Sequence, residues 1–461
     1  MTQRNELVQG LGFYGAVSVV AGTMIGTAIF VVPSLMLQQT GTPLKVLGIW
    51  VVAGVLSLFG ALGYAELGAA LPEAGGEYVY LSQAYGRGMG FLYGWAQFIV
   101  AKTASIAAIA TGFFLYAAYF FPGLAGTAWR LPLRVASHHW IIAFTGIQIG
   151  SAALILFLSG LNVLGVRRSG AVQTVFTAAK IVVLAVLVIL AAVVGHGSWS
   201  HFRAAAVGSH VPGGVFAGFG LAMVSALWAY DGWNNLSMVG GEVANPQRNV
   251  PAALIAGALL VALVYILVNL AYFYVLAPHA AMNTRVIAAV TARRLIGPAG
   301  GTFIAIGVLI STFATLNGSI LAGSRIPYAQ ARDRLFPRAL GSVHPRFRTP
   351  AVAIAAQAVI AGVFALSGRY ETLFTKAIYS EWVFYALVTA GIIVLRRRKP
   401  RLPRPYRTWG YPVVPVIFVV LAGALLAGAF FTSRSDALWC LGLIGSGIPI
   451  YFLWKLCTRT A

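Results

Sequence analysis

The sequence is poor in charged residues and poorest in acidic ones. Only 9% of its 461 residues are charged, and Asp and Glu together number 10. A soluble domain carries about 25% charged residues, so this shortage excludes an ordinary soluble globular protein. Hydrophobic residues make up 59% of the chain. That excess excludes a disordered chain as well, because so much apolar side chain cannot stay hydrated.

Cysteine is almost missing, and so are the clusters that carry chemistry. Cys440 and Cys457 both lie near the C-terminal end, which does not fit a disulfide framework. The sequence shows no His or Cys cluster with metal-site spacing, and no nucleophile–base constellation or phosphate-binding loop. It also lacks the repeated filter or charged ring of an ion channel. We therefore expect no metal, no cofactor and no enzymatic activity.

Long apolar runs are abundant instead. About 20 apolar residues suffice to cross a bilayer as a helix, and twelve runs reach that length. They cover residues 11–37, 46–71, 88–121, 140–161, 170–194, 213–239, 251–277, 299–324, 350–367, 372–395, 412–432 and 436–456. The pattern predicts an all-α integral membrane protein that forms one domain over residues 1–461. Residues 1–10, MTQRNELVQG, lack the apolar core of a signal peptide, so we expect the first span to be retained.

Basic residues predict the orientation of these spans. The net charge of +22 would suggest nucleic acid in a soluble protein, but here most Lys and Arg lie between the apolar runs. With the N-terminus inside, about 20 of the 32 lie in inside segments, about 9 in outside segments and about 3 within spans. This excess predicts that both termini are cytoplasmic. The clusters at 325–348 and 396–407 would lie near anionic lipid headgroups, and we expect no nucleic-acid partner.

Two spans contain residues that interrupt a helix. Residues 22–30, GTMIGTAIF, place Gly22 and Gly26 inside the first span, each costing about 1 kcal/mol relative to Ala. Residues 228–234, WAYDGWN, place Asp231 inside the sixth span, where a charge costs at least ~2.5 kcal/mol. Each feature alone is weak evidence for a broken helix, because membrane helices tolerate glycine for close packing.

The distance between the two interruptions indicates an internal repeat. Gly26 and Asp231 are about 205 residues apart, and the starts of the fifth and tenth spans are about 202 apart. Residues 11–194 and 213–395 therefore look like two copies of a five-span unit, with the helices of 412–456 outside it. An odd number of spans inverts the second copy, as in transporters whose broken helices meet at the midplane.

Broken helices suggest the ligand. A new helix N-terminus exposes N–H groups that favour an anion such as a carboxylate, and a new C-terminus exposes C=O groups that favour a cation. Two antiparallel broken helices can hold both groups, and an α-amino acid carries both on one carbon. The sequence therefore predicts a small-molecule amino acid substrate in a bilayer of membrane lipid.

Several segments resemble one known family in order and spacing. The chain resembles the amino acid–polyamine–organocation transporter superfamily and, within it, the bacterial-type members of the L-type amino acid transporters. The segments are GTMIGTAIFVVP at 22–33, YAELGAALPEAGGEYVYL at 64–81, FTAAK at 176–180, WAYDGWNNLSMVGGEVANPQRNVP at 228–251, NGSILAGSR at 317–325 and ARDRLFP at 331–337. The resemblance implies the five-plus-five inverted repeat with broken helices 1 and 6.

The resemblance also implies a substrate site. Backbone amides of residues 26–30 would bind the carboxylate, with Ala28 narrowing the pocket where relatives often have glycine. Carbonyls of Met24, Trp228 and Asp231 would bind the amine, and the Trp228 ring would act as a gate. The implied substrate-binding residues are Met24, Ile25, Gly26, Thr27, Ala28, Trp228, Ala229, Tyr230 and Asp231.

Two further positions follow from the resemblance. Lys180 matches a lysine that stands where sodium-coupled relatives bind sodium, and it would tie the first span to the eighth near Ser319. The alternative is a lysine that snorkels to the interface. Glu381 matches a position that lines the distal pocket. It could carry a proton, because burial raises a carboxyl pKa, or it could neutralise Lys102 or Lys376.

The function implied is sodium-independent transport of amino acids in the cell (inner) membrane, most simply as exchange of neutral L-amino acids by alternating access. The alternative is a proton-coupled amino acid symporter or a carrier of cationic amino acids or polyamines, using Asp231 and Glu381. Animal members bond to a glycoprotein through a cysteine in the loop after the third span. Residues 122–139 contain none, so we expect no disulfide-linked ancillary subunit.

Overall fold

The apolar runs fold into helices because an α-helix satisfies its backbone N–H and C=O groups within the segment, as hydrocarbon requires. The computed structural model describes residues 10–73, 75–135, 138–164, 169–195, 197–206 and 214–459. The basic pair Arg167 and Arg168 and the polar N-terminal residues 1–9, which entered the orientation prediction, lie outside the described residues.

The described residues from 10 to 195 contain eight α-helices, a π-helical turn and a β-hairpin. The helices are α1 Phe13–Met24, α2 Ala28–Thr40, α3 Pro43–Ala70, α4 Glu77–Tyr85, α5 Arg87–Ala96, α6 Lys102–Ala117, α7 Gly146–Val163 and α8 Ser169–Val194. The π-helical turn Gln97–Ala101 joins α5 to α6. The strands are β1 Thr127–Val135 and β2 His138–Thr145.

Ten more α-helices follow in the part of the chain described from residue 214 to residue 459. They are α9 Gly214–Ala229, α10 Asn235–Met238, α11 Pro246–Val275, α12 Pro278–Met282, α13 Ile287–Gly323, α14 Arg325–Arg332, α15 Ala351–Ser367, α16 Tyr370–Arg398, α17 Val413–Thr432 and α18 Arg434–Arg459. The backbone of α13 is non-helical at Ile296 and Gly297, just before Pro298. The part of α13 after this kink corresponds to the predicted eighth span.

Nine helical segments of the described chain are long and apolar enough to cross a membrane. They are Phe13–Thr40, Pro43–Ala70, Arg87–Ala117, Gly146–Val163, Thr174–Val194, Pro246–Val275, Ile287–Arg332, Tyr370–Arg398 and Arg434–Leu456. Three shorter apolar helices, Phe216–Ala229, Ala351–Ser367 and Val413–Gly428, lie in the other predicted spans. Each of the twelve predicted regions thus contains a helix, and the number that crosses the bilayer stays a prediction.

The prediction of an all-α chain is wrong at one place. Strands β1 and β2 pair antiparallel, with Leu131 opposite Ile142, so the helix of the fourth predicted span, α7, begins at Gly146 rather than at residue 140. The run WIIAFT at 140–145 is compatible with a helix and with a strand, because a short apolar run has no periodicity that separates the two. Thr145 then starts α7 with a capping box, in which its side chain accepts from the Gln148 amide.

Both predicted interruptions are present. Residues 25–27 separate α1 from α2, and residues 230–234 separate α9 from α10. Helix α1 contacts α10, whereas α2 contacts α9. The first half of one broken span therefore meets the second half of the other, which makes the two spans antiparallel where they cross.

Candidate binding site between the broken helices

The two broken spans approach each other backbone to backbone. Thr23 Oγ1 donates to the Gly232 carbonyl oxygen at 2.8 Å. Gly232 has φ +111°, and a Cβ built there would lie 3.0 Å from the Thr23 carbonyl carbon and 3.2 Å from the Met24 nitrogen. Only glycine tolerates both the positive φ and the close approach. Gly232 thus lets the two breaks share one small volume.

Lys180 occupies the carbonyl end of the first break. Its Nζ donates to the carbonyl oxygens of Gly22 at 2.8 Å and Ile25 at 3.1 Å, and to Thr315 Oγ1 at 2.6 Å. The side chain is 3% exposed, and each of its three N–H donors has an acceptor. Lys180 on α8 therefore fixes the end of α1 to α13 with a buried positive charge.

The amide end of the first break is open. The Gly26 amide donates to the Met24 carbonyl at 2.8 Å, but within the described chain the amides of Thr27 and Ala28 donate to no backbone acceptor. Free N–H groups at a helix start carry partial positive charge and bind anions. The start of α2 can therefore bind a carboxylate.

Tyr265 on α11 joins the two breaks from the side. Its hydroxyl lies 2.7 Å from the Met24 carbonyl oxygen and 3.0 Å from the Ala229 carbonyl oxygen. One hydroxyl hydrogen serves one acceptor at a time, so the two carbonyls compete for the same donor. The Tyr265 hydroxyl thus sets the position of the last carbonyls of α1 and α9 relative to each other.

Trp228 is held against α16. Its Nε1–H donates to the Tyr370 hydroxyl at 3.0 Å, and its ring stacks on Phe374 with centroids 5.9 Å apart and planes 14° apart. Tyr370 also lies 3.5 Å from Thr27 Oγ1. The Trp228 ring is therefore fixed to α16, whose Tyr370 also reaches Thr27 in the first break.

A small cavity lies between the breaks. It offers about 20 Å³ to the centres of water-sized spheres, which is room for about one water. Its walls come from the two breaks and from α6 and α13. The lining residues are Thr23, Met24, Gly26, Thr27, Ala28, Lys102, Ser105, Ile109, Trp228, Asp231, Gly232, Asn235, Thr315 and Ser319.

Comparisons with known proteins identify the family of the chain. The family model for the amino acid permease matches residues 11–448. The chain belongs to the amino acid permease family. This permease is 34% identical over 453 residues to the human b(0,+)-type amino acid transporter 1, which covers 97% of the chain and 88% of the relative. The predicted superfamily is confirmed, and the permease is a multi-pass membrane protein whose relatives are transporters.

Two other relatives cover the permease almost from end to end. The serine/threonine exchanger SteT of Bacillus subtilis (strain 168) is 32% identical over 468 residues, 98% of each chain. The human large neutral amino acids transporter small subunit 2 is 30% identical over 454 residues, 97% of this chain and 80% of the relative.

Most of the predicted site residues meet in the cavity of the permease, and some do not. Ile25 and Ala229 do not line the cavity. The Ile25 carbonyl accepts a hydrogen bond from Lys180, and the Ala229 carbonyl accepts one from Tyr265. Tyr230 does not line the cavity either. Its ring packs on Trp50 and Tyr265, with centroids 5.6 and 5.1 Å away, because the backbone turn after Ala229 points it away from the cavity.

The contact of Lys180 with α13 lies close to the predicted residue Ser319. The residue of α13 that binds Lys180 is Thr315, one helical turn before the predicted Ser319. Residues four apart share a helix face, so both side chains reach the same region. Thr315 is the nearer to Lys180, and both residues line the cavity. The sequence alone therefore indicates the face of α13 that meets Lys180, but not the helical turn.

Glu381 lies one layer behind the cavity, not in its wall. Its Oε2 is 3.4 Å from the Tyr385 hydroxyl, which is 2.7 Å from Asp231 Oδ1. The suggested pairing with Lys376 is wrong, because Lys376 lies 3.9 Å from Asp436. Lys102 donates to Asn235 Oδ1 at 2.8 Å. Of the two carboxyl-bearing residues Asp231 and Glu381, only Asp231 lines the cavity.

The sequence-based prediction missed several cavity residues. Ser105, Ile109 and Asn235 line the cavity, and Tyr265 fixes its carbonyls. Asn235 stood within the recognised WAYDGWNNL segment, so its amide was a usable signal. Ser105 and Ile109 lie on α6, and no local pattern in that helix points towards residues more than 70 positions away.

Proposed function

We propose that this permease is a sodium-independent carrier that exchanges neutral L-amino acids by alternating access. It would have twelve spans, the inverted repeat of 11–194 and 213–395, and both termini in the cytoplasm of a cell whose plasma or inner membrane it crosses. In this mechanism the two repeats rock around the midplane cavity, so that it opens to one side at a time.

The observation that carries this proposal is the position of Lys180. The carbonyl oxygens at the end of a broken helix favour a cation. Here the Lys180 ammonium already binds Gly22 and Ile25 at 2.8 and 3.1 Å. A buried ammonium at this place supports a cycle that needs no sodium ion to hold α1 against α13.

The substrate follows from the rest of the cavity. The free amides of Thr27 and Ala28 fit an α-carboxylate, and the carbonyl groups around Met24 and Trp228 fit an α-ammonium. The apolar Ile109 and Trp228 walls favour a neutral side chain, and we propose a small one such as that of alanine or serine. The relative named a serine/threonine exchanger supports both exchange and small substrates.

Counterflow in liposomes tests this proposal. Purified permease is reconstituted with internal unlabelled alanine or without it, and uptake of labelled alanine is followed in sodium or in choline medium. We expect uptake to require internal alanine and to be equal in the two media. Uptake that is as fast into empty liposomes contradicts exchange, and uptake that needs sodium contradicts the role of Lys180.

The permease would work without a covalently bound partner. The large neutral amino acids transporter is named a small subunit, but the loop at 122–139 of this chain has no cysteine. Non-reducing electrophoresis of membranes should therefore show the permease at its own mass.

A further inference from the structure

The helix that follows the second break is too short to hold itself in place. Helix α10 has only four residues, Asn235–Met238, and a single helical turn has almost no stability of its own. Its position must therefore come from contacts with the rest of the chain. These contacts matter for the cavity, because Asp231, Gly232 and Asn235 all line it.

The turn before α4 packs directly on α10. The Gly75 amide donates to the Met238 carbonyl oxygen at 3.2 Å. Gly76 has φ +52°, and a Cβ built there would lie 3.0 Å from the Met238 nitrogen and 3.2 Å from Ser237 Cβ. The positive φ and the close approach both favour glycine. The next residue, Glu77, therefore begins α4 beside the second break.

Glu77 is buried and joins the second break to two other helices. The residue is 0% exposed. Its Oε1 accepts from the Asn234 side-chain amide at 2.8 Å and lies 3.5 Å from the Tyr64 hydroxyl on α3. Its Oε2 accepts from the Tyr93 hydroxyl on α5 at 2.9 Å. A carboxylate only accepts hydrogen bonds, so an amide and two phenols suit it as partners.

Asn234 depends on this carboxylate. The residue is 1% exposed and does not line the cavity, whereas its neighbour Asn235 does. Among the described residues, the Asn234 side-chain amide donates to Glu77, and its Oδ1 has no hydrogen-bond partner. Glu77 therefore anchors the second break one residue away from the cavity wall.

We propose that Glu77 is a positioning residue for substrate binding. Its carboxylate holds the Asn234 amide, sets the turn at residues 231–235 and so keeps Asp231 and Asn235 in the cavity wall. Glu77 does not line the cavity itself, so it acts on the substrate through the second break. This inference rests on the proposed function.

Exchange of the donor and the acceptor tests this pair. Asn234→Asp places two carboxylates in contact, and neither can donate to the other, so we expect alanine affinity to fall about tenfold or more. Glu77→Gln keeps an acceptor for Asn234, and the Tyr93 hydroxyl can accept from the new amide, so we expect affinity within about threefold of wild type. The double variant Glu77→Gln/Asn234→Asp restores an amide–carboxylate pair in the opposite direction. We expect it to recover most of the affinity that Asn234→Asp loses.

Titration calorimetry with alanine and the melting temperature without ligand separate binding from folding. The matched control is Glu73→Gln/Asn234→Asp, because Glu73 is exposed and its replacement should not rescue Asn234→Asp. An Asn234→Asp variant that melts at a lower temperature but binds alanine as wild type does has lost only stability, and this result overturns the inference. Equal rescue by Glu73→Gln, or no rescue by Glu77→Gln, overturns it as well.

Two further outcomes are also decisive. If Asn234→Asp does not fold, the double variant Glu77→Gln/Asn234→Asp should still fold and bind alanine, and its failure to do so overturns the inference. If the wild-type permease binds no amino acid, the proposed function fails, whereas the melting temperatures of the variants still show whether Glu77 and Asn234 are paired.

Discussion

Both breaks leave backbone groups without partners in a helix, but the side chains around them differ between the two breaks. At the first break the carbonyl oxygens of Gly22 and Ile25 accept hydrogen bonds from Lys180. This buried cation has no carboxylate among its hydrogen-bond partners. At residues 230–234 the side chains are Asp231 and Asn234, together with Asn235 at the start of α10. Asn234 donates to Glu77 at 2.8 Å, and Asn235 accepts from Lys102 at 2.8 Å.

This difference assigns different tasks to the two breaks. Three donors on one ammonium hold the first break in a single arrangement, which suits recognition of the α-carboxylate common to all amino acids. The second break is surrounded by carboxyl and amide groups that make separate hydrogen bonds to α4, α6 and α16. We infer that the first break reads the constant part of the substrate and the second reads its side chain.

Removal of the cation at the first break should have the largest effect. Lys180→Met removes the donor shared by three buried acceptors. The Thr315 hydroxyl lies 3.3 and 3.4 Å from the Gly22 and Ile25 carbonyl oxygens but has one hydrogen to donate, so at least one carbonyl loses its partner, at a cost of about 1–3 kcal/mol. We expect counterflow of alanine to fall at least ~100-fold. The measurement is initial uptake per reconstituted protein, with Lys45→Met as the control because Lys45 is exposed. Transport within tenfold of wild type in Lys180→Met would show that the first break does not need this charge.

Separation of the two breaks should have the next largest effect. In Gly232→Ala the new methyl meets the Thr23–Met24 backbone at 3.0 to 3.2 Å, and φ +111° is strained for alanine. Such strain costs about 1–3 kcal/mol, so we expect uptake to fall about 10–100-fold. Gly362→Ala is the matched control, since a Cβ there meets open space. Equal activity of the two variants would argue against the close approach.

Loss of the hydroxyl between the breaks should have the smallest effect. Tyr265→Phe removes one donor that serves the Met24 and Ala229 carbonyls, and a hydrogen bond contributes about 0.5–1.5 kcal/mol. We expect a decrease in alanine affinity of up to about tenfold, measured by titration calorimetry. Tyr274→Phe on the same helix should bind alanine as wild type does. If both variants bind as wild type does, Tyr265 has no positioning role.

The positions of the breaks could be predicted from the sequence because their residues are expensive in a membrane helix. Gly22, Gly26 and Asp231 each carry a penalty that a continuous span would avoid. The identity of the contacts could not be predicted. Tyr265 reaches Met24 across 241 positions, and Lys180 reaches Thr315 across 135, so only the folded chain shows which turn of a helix faces which carbonyl.

The hairpin and Tyr230 show two other limits of the sequence. Over six positions, an apolar run in a strand has the same sequence pattern as one at the start of a helix. The run before Gly146 is therefore compatible with either structure. Tyr230 stands between two site residues, yet its ring points to Trp50. Within a turn, neighbouring side chains point in different directions, and proximity along the chain does not place them in one cavity.

Thermal stabilisation by alanine and by two derivatives tests most directly whether bare peptide groups bind both charges of an amino acid. Alaninamide lacks the carboxylate charge and N-acetylalanine lacks the ammonium charge, while both keep the methyl side chain. A ligand that binds only the folded state raises the melting temperature. We predict that alanine raises the melting temperature of the permease and that neither derivative does so at the same concentration. Stabilisation by alaninamide equal to that by alanine would contradict the account.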